Sequence, residues 1–191
     1  MIENNTILEI ENLLDNKKII NSKILSSSFG INCVKIITED NKKFIVKYYF
    51  RKNNEFNAIE SEANNLLFFN NKKFKYFPKI INSNKKYLIM SFIENDNLQP
   101  DVTSDDLLNA IISLHSRNES YYGFNFDTQI GGLKQINTKL QNWVEFYRDK
   151  RLNYIFELIN KNNSLDKDIN IKINFLLKKL ENFIPNKPNS S

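Results

Sequence analysis

Three kinds of residue in the first half of this 191-residue chain could together grip a phosphate chain. The segment "SSSFGIN" puts Ser27, Ser28 and Gly30 in one short loop. Lys47 closes "FIVK" on the strand that follows, and Glu60 and Glu62 come next in "AIESEANN". Phosphate oxygens must come close to backbone N–H groups, so a loop of small residues suits them. A lysine on a rigid strand supplies a point charge that cannot wander. A carboxylate beside it keeps the amine protonated and aimed, and Glu62 is the expected partner of Lys47. Taken singly, each residue has a plainer reading, because lysines are abundant here and one at a strand end is usually just solvated. The ordered combination of loop, strand lysine and helix glutamate carries the inference.

Glycine marks a second place. The chain has four glycines, and Gly123, Gly131 and Gly132 all fall in "YYGFNFDTQIGGLKQIN", Tyr121 to Asn137, leaving Gly30 alone near the other end. Glycine permits positive φ and close backbone approach, so its concentration here points to two sites of unusual backbone.

The elements that must position these groups follow from hydrophobic spacing. Ile2, Leu8, Ile10, Leu13 and Leu14 recur at helical intervals and predict an opening amphipathic helix. Ile31, Cys33 and Lys35, then Phe44, Val46 and Tyr48, alternate about the turn "EDNKK" and predict an antiparallel hairpin. Ile59, Ala63, Leu66 and Leu67 define one helical face. Ile80 and Ile81, a polar turn at 82–85, and the apolar run from Tyr87 to Ile93 predict a second hairpin. The pattern then turns helical. Thr103 and Asp106 form a capping signal before Leu107, Leu108, Ile111 and Leu114, expected to face inward. A long helix is expected to bury Leu140, Trp143, Val144, Tyr147 and Ile155, and a last one Ile173, Leu176, Leu177 and Leu180. Strands first and helices after imply a two-lobed α+β plan with its boundary near residues 94–101.

Composition limits the partners. A hydrophobic share of 41% and aromatic share of 13% suffice for a packed core and exclude a disordered chain. The net charge of +5 comes without any run of more than two basic residues, so a nucleotide or small anion is a better ligand than nucleic acid. The single cysteine, Cys33, excludes an internal disulfide and fits a reducing compartment. Neither a signal-peptide pattern nor a membrane-length apolar stretch is present, so the expected location is the cytoplasm, away from membranes.

The loop, the strand lysine, the helix glutamate and the buried "LIMSFI" are similar to the layout by which protein kinases hold ATP. That resemblance implies adenine against the backbone of Ser91, Phe92 and Ile93. The second half is more specific. Gly123, Phe124, Gly131, Gln135, Asn137, Trp143, Phe146, Tyr147, Arg151 and Leu152 resemble, in type and spacing, the fructosamine kinase (ketosamine-3-kinase) family. "INCVKI" and "IESEANNLLFF" extend the resemblance over nearly the whole chain.

The resemblance implies a protein-kinase-like fold with an N-lobe over 1–94 that binds nucleotide and a partial helical C-lobe over 95–191. It further implies ATP-dependent phosphorylation of a ketosamine on a glycated small amine or protein lysine, with Mg²⁺ bridging the phosphates. Gly131, Gln135, Asn137 and Trp143 fall on the sugar side of the cleft. Phe29 stands where relatives have glycine, with the hydroxyls of Ser27 and Ser28 as substitute donors. Asn142 replaces an expected acid, and a second tryptophan is missing near Lys139. Some relatives carry a redox-sensitive cysteine at the position of Gly30; Cys33, on the strand, is expected to pack as a small apolar residue.

The family's catalytic loop, His-Gly-Asp-Leu-Trp-Ser-Gly-Asn, is expected shortly after "PNKPNSS" and is not among these residues. No catalytic or metal-binding residue is therefore assigned. The one histidine, His115, is expected to be a packed helix residue. A kinase piece lacking its catalytic loop and a non-catalytic nucleotide- or partner-binding module both stay open. A choline- or aminoglycoside-type phosphotransferase is disfavoured by Gln135, Asn137 and Trp143. The helices from Leu140 to Phe183 are expected to leave an apolar face through which the chain self-associates.

Overall fold

The computed structural model describes residues 2–51, 56–72, 74, 76–94, 105–116 and 118–186. The chain forms two compact units, Met1–Gln99 with Thr128–Lys134, and Pro100–Asp127 with Gln135–Ser191.

In the first unit, helix α1 (Asn4–Leu13) precedes strands β1 (Ile19–Ser28), β2 (Ile31–Thr38) and β3 (Lys43–Tyr49). Helix α2 (Ala58–Asn71) and strands β4 (Ile80–Ser83) and β5 (Tyr87–Ser91) follow. The strands make one sheet in the order β1-β2-β3-β5-β4, with every pairing antiparallel. Side chains alternate across a strand, so the central strands β2, β3 and β5 feed two cores. One face packs Val34, Ile36, Phe44, Val46, Tyr48, Tyr87 and Ile89 against Ile2, Ile10 and Leu14. The other packs Leu88 and Met90, with Ile31 and Ile45 beside them, against Ile59, Ala63 and Leu66 of α2. Strand β5 serves both cores, which is why it reads as an unbroken apolar run.

Two polar anchors fix the edges of this unit. Glu11, 6% exposed, accepts from the Ile19 N–H (2.9 Å) and Lys18 Nζ (2.8 Å), tying α1 to the start of β1. Asn57 caps α2, accepting from the Glu60 N–H at 3.1 Å while its amide donates to the Lys85 carbonyl at 2.8 Å.

The sequence reading missed β1. Its residues are almost uniformly exposed, including Ile20, Ile24 and Leu25, because an edge strand has no second layer to impose alternation. Leu8, Leu67, Ile81 and Ile93, expected inside, are exposed.

The second unit contains α3 (Asp105–His115), α4 (Trp143–Tyr147), a π-helical turn (Arg148–Asn153), α5 (Tyr154–Asn162) and α6 (Lys167–Lys178). The single long helix expected here is thus interrupted by the π turn, and Leu140 lies before it, bridged to Tyr122. Burial concentrates on Tyr122, Val144, Phe146, Leu177 and Leu180. The expected inward faces are corrected: Leu107, Leu108, Ile111, Ile155 and Leu176 are all between 41% and 56% exposed. His115 is exposed rather than packed. The predicted boundary at 94–101 and the capping residue Thr103 fall largely or wholly outside the described residues.

Belonging to the first unit as far as Lys134 but inserted between the two segments of the second, β6 (Thr128–Ile130) and β7 (Leu133–Gln135) form a hairpin where the sequence suggested only a loop. Gly131 (φ 53°) and Gly132 (φ 83°) make its two-residue turn. Two successive positive φ values are what a type I′ hairpin turn demands.

Candidate functional site

Strand β3 carries Lys47 at the centre of the sheet, opposite Cys33 on one side and Leu88 on the other. Its ammonium donates to Glu62 Oε1 at 2.6 Å, and the two side chains are 27% and 28% exposed. Asn57 fixes where α2 begins, and so the helical turn from which Glu62 reaches the strand. Glu60, the other acid of the motif, is exposed. A half-buried cation held by one carboxylate keeps two of its N–H donors for another anion. Cys33, directly across from Lys47, is half-buried. Burial pushes its thiol up and the charge of Lys47 pulls it down, with burial dominating, so it remains a thiol.

The loop above this pair is tighter than a phosphate cradle of several residues. Ser28 pairs with Ile31, leaving Phe29 (φ 51°) and Gly30 (φ 76°) as the turn. The Gly30 carbonyl accepts from the Phe50 N–H at 2.9 Å. Ser27 Oγ donates to Asn32 Oδ1 at 2.6 Å, and Asn32 in turn donates to Tyr48 OH at 3.2 Å. That hydroxyl is therefore engaged within the hairpin, whereas Ser28 is exposed at the turn.

At the far end of β5, Ser91 is tied to Lys79. Its N–H donates to the Lys79 carbonyl (2.8 Å) and its hydroxyl accepts from the Lys79 N–H (2.9 Å). Phe92 lies under the Lys35 ammonium at 4.1 Å, and Glu94 pairs with Lys43. With the Ser91 N–H committed, an adenine edge would have to use the backbone of Phe92 and Ile93.

In the second unit, the residues expected on the sugar side have separate surroundings. Asn137 is 1% exposed; its amide donates to the Phe126 carbonyl (3.2 Å) and its oxygen accepts from Arg151 Nη2 (2.7 Å). Arg151 also donates to the Ile136 carbonyl at 2.7 Å, and burial lowers its proton affinity. A Cβ at Gly123 would overlap the Asn137 carbonyl oxygen, so this glycine is required by close approach. Together these contacts make Asn137 and Arg151 a buried knot that shapes the loop. Trp143 joins an aromatic cluster with Tyr122, Phe146 and Tyr147 at centroid distances of 5.1 to 6.1 Å. Asn142, where an acid was expected, caps α4 by accepting from the Val144 and Glu145 N–H groups, a task either side chain performs. Gln135 ends β7, and Gly131 has nothing within 4 Å of where a Cβ would stand.

Sequence reasoning missed Cys33 beside Lys47, although strand register could have shown it. It also missed Asn32, whose link to Ser27 has no sequence signal. Among the described residues no group of three His, Cys, Asp or Glu side chains is placed to hold a metal ion. Among the described residues no helix is long and apolar enough to cross a membrane.

An antiparallel five-stranded sheet with a lysine–glutamate pair between strand and helix, followed by helices, is a kinase-like α+β architecture. A chain assigned as a fructosamine-3-kinase from Thermobifida fusca superposes with a TM-score of 0.80 at 16% identity, over 99% of this chain and 65% of that one. APH(2")-IIa, solved in complex with gentamicin, superposes at 0.58 and 16% identity over 95% of this chain and 58% of its own. These likenesses establish the fold.

The chain belongs to the fructosamine kinase family, whose profile matches residues 4–189. Protein-ribulosamine 3-kinase of Oryza sativa subsp. indica, a chloroplastic protein, is 36% identical over 73 residues, which is 38% of this chain and 21% of the rice protein. The chain thus spans less than two thirds of the length of these relatives.

Proposed function

We propose that this chain is the nucleotide-holding part of a ketosamine kinase, acting on fructosamine-type adducts of small amines or protein lysines. The observation that carries the reading is the half-buried Lys47–Glu62 pair at 2.6 Å on the sheet face next to the Ser27–Gly30 turn. Glu62 holds the ammonium in place, and Lys47 presents its remaining N–H donors to the phosphates of ATP. The exposed Ser28 and the backbone at Gly30 lie over the phosphates, and the backbone of Phe92 and Ile93 receives adenine. Gly131, Gln135 and Trp143 belong with the ketosamine side, where Asn137 and Arg151 shape the loop rather than touch the sugar. Phosphoryl transfer also requires a base and Mg²⁺ ligands. The described residues form no such cluster, so we assign those groups to a segment that completes the kinase. The exposed apolar faces of α3, α5 and α6 are surfaces on which that segment would pack, and without it they favour self-association. The single cysteine suits the reducing cytoplasm.

Calorimetric titration with Mg-ATP tests this reading. Lys47→Ala should weaken binding by about tenfold or more, since one preorganised charged contact is worth roughly 2–4 kcal/mol in a complete site and less in an open one. Equal affinities for the two proteins would sink the assignment. A second reading, a nucleotide-binding module without catalysis, uses the same Lys47–Glu62 pair and is separated from the first by activity. Joined to a relative's segment from the His-Gly-Asp motif onward, the chain should transfer radiolabelled phosphate to a fructosamine. A soluble but inert joined protein would favour the second reading.

A further inference from the structure

Two hairpin turns in the first unit meet tip to tip. A Cβ built on Gly132 would stand 3.0 Å and 3.1 Å from Cδ1 and Cγ of the Phe29 ring, whereas one on Gly131 would meet nothing within 4 Å. Gly132 therefore leaves a space that Phe29 occupies.

Phe29 is otherwise hard to account for. It has a φ of 51°, a conformation that bulky side chains seldom adopt, and the residue is 72% exposed. Glycine would relieve the backbone and remove the exposed apolar surface together. The contact with Gly132 gives both features one reason, because a phenyl ring is what spans from one turn to the other. The β6–β7 hairpin is itself anchored beside α2. Gln129 Nε2 donates to the Ala58 carbonyl at 3.4 Å, and the Lys134 ammonium lies 5.9 Å from the Phe56 ring. Ala58 is the first residue of α2, the helix that carries Glu62.

We propose that the Gly131–Gly132 turn is a positioning element for the nucleotide loop. Phe29 rests on Gly132, and through that contact the hairpin sets the height of the Ser27–Gly30 turn relative to α2 and its Lys47–Glu62 pair. Phe29 and Gly132 are thus positioning residues, with no contact to the phosphates of their own. The consequence for affinity rests on the nucleotide reading above; the mechanical coupling does not.

Asparagine tolerates positive φ, so Gly132→Asn and Gly131→Asn place the same side chain on the two positions of one turn, and only the first presses on Phe29. Phe29→Gly removes the ring and relaxes the backbone. Amide hydrogen exchange of residues 26–32, read without nucleotide, and calorimetric affinity for Mg-AMP-PNP are measured on all three and on the double variant Phe29→Gly/Gly132→Asn. Gly132→Asn and Phe29→Gly should each speed exchange in the loop and weaken binding by about three- to tenfold, as expected when a preorganised loop is loosened. Gly131→Asn should match wild type in loop exchange, because its side chain meets nothing near Phe29. The double variant should be no worse than Phe29→Gly, because the ring that the asparagine side chain would displace is gone. Matching behaviour of the two asparagine variants, or wild-type exchange in Phe29→Gly, would overturn the proposal. A wild type that binds no nucleotide but shows this exchange pattern would support the coupling and overturn the nucleotide reading instead.

Discussion

Val46 and Lys47 are neighbours on one strand and meet opposite worlds. Val46 is fully buried on the face covered by α1, among residues that include Ile36, Ile10 and Ile89. Lys47 points to the face covered by α2, where apolar packing around Leu88 and Met90 gives way to Cys33, Lys47 and Glu62. Both faces receive the same alternation from the same strands, yet one is sealed and the other left partly open. The difference lies in the covering helix. α1 brings Ile10 and Leu14 squarely onto the sheet, whereas α2 brings Ile59, Ala63 and Leu66 onto it with Glu62 set among them and paired to Lys47. A sheet can therefore keep its stability on one side and its chemistry on the other.

Substitutions should separate the two faces. Ile36→Ala, on the sealed face, should cost about 3 kcal/mol in urea unfolding at neutral pH, since a fully buried isoleucine leaves a cavity. A loss below about 1 kcal/mol, outside the usual range for buried isoleucine, would mean that this face repacks freely.

At the rim of the same face, Glu11→Gln should cost about 1 kcal/mol by removing a charged acceptor from Lys18 and Ile19. The hydrogen bonds from Lys18 and Ile19 hold the Glu11 carboxyl below its ordinary range. A depressed folded-state value means that this contribution is complete above the unfolded carboxylate value, about 4.3, and fades as pH falls through the lower folded one. Wild type should lose stability on acidification from about pH 5 toward 3, and Glu11→Gln should lose less over that same interval. Parallel pH profiles would show that Glu11 is not the responsible group.

The open face should give the smallest stability effect. Lys47→Ala should stay within about 1 kcal/mol of wild type, because a partly exposed pair contributes little net stability. If it unfolded as readily as Ile36→Ala, the pair would be a structural bridge and the contrast between the faces would fail.

Much of this was legible locally. The hairpin of β2 and β3, the helix that carries Glu62, the unusual backbone at the glycines and the order of loop, lysine and glutamate follow from short-range periodicity and steric rules. The order of loop, strand lysine and helix acid points to Glu62 as the partner of Lys47, and the choice over the exposed Glu60 is visible in the fold. β1 was not legible, since an exposed edge strand carries no alternation. Nor were the partners of Asn137, whose side chain meets Arg151 and the Phe126 carbonyl.

The sequence by itself determined which residues share a face, because helix and strand periods are fixed by backbone geometry. Only the tertiary structure decided which faces have a neighbour. Leu107, Leu108 and Ile111 are spaced as well as Ile59, Ala63 and Leu66, yet the first set is exposed and the second buried. Periodicity specifies a stripe, while burial needs a second surface, and contacts such as Phe29 on Gly132 join positions far apart in sequence that no local rule relates.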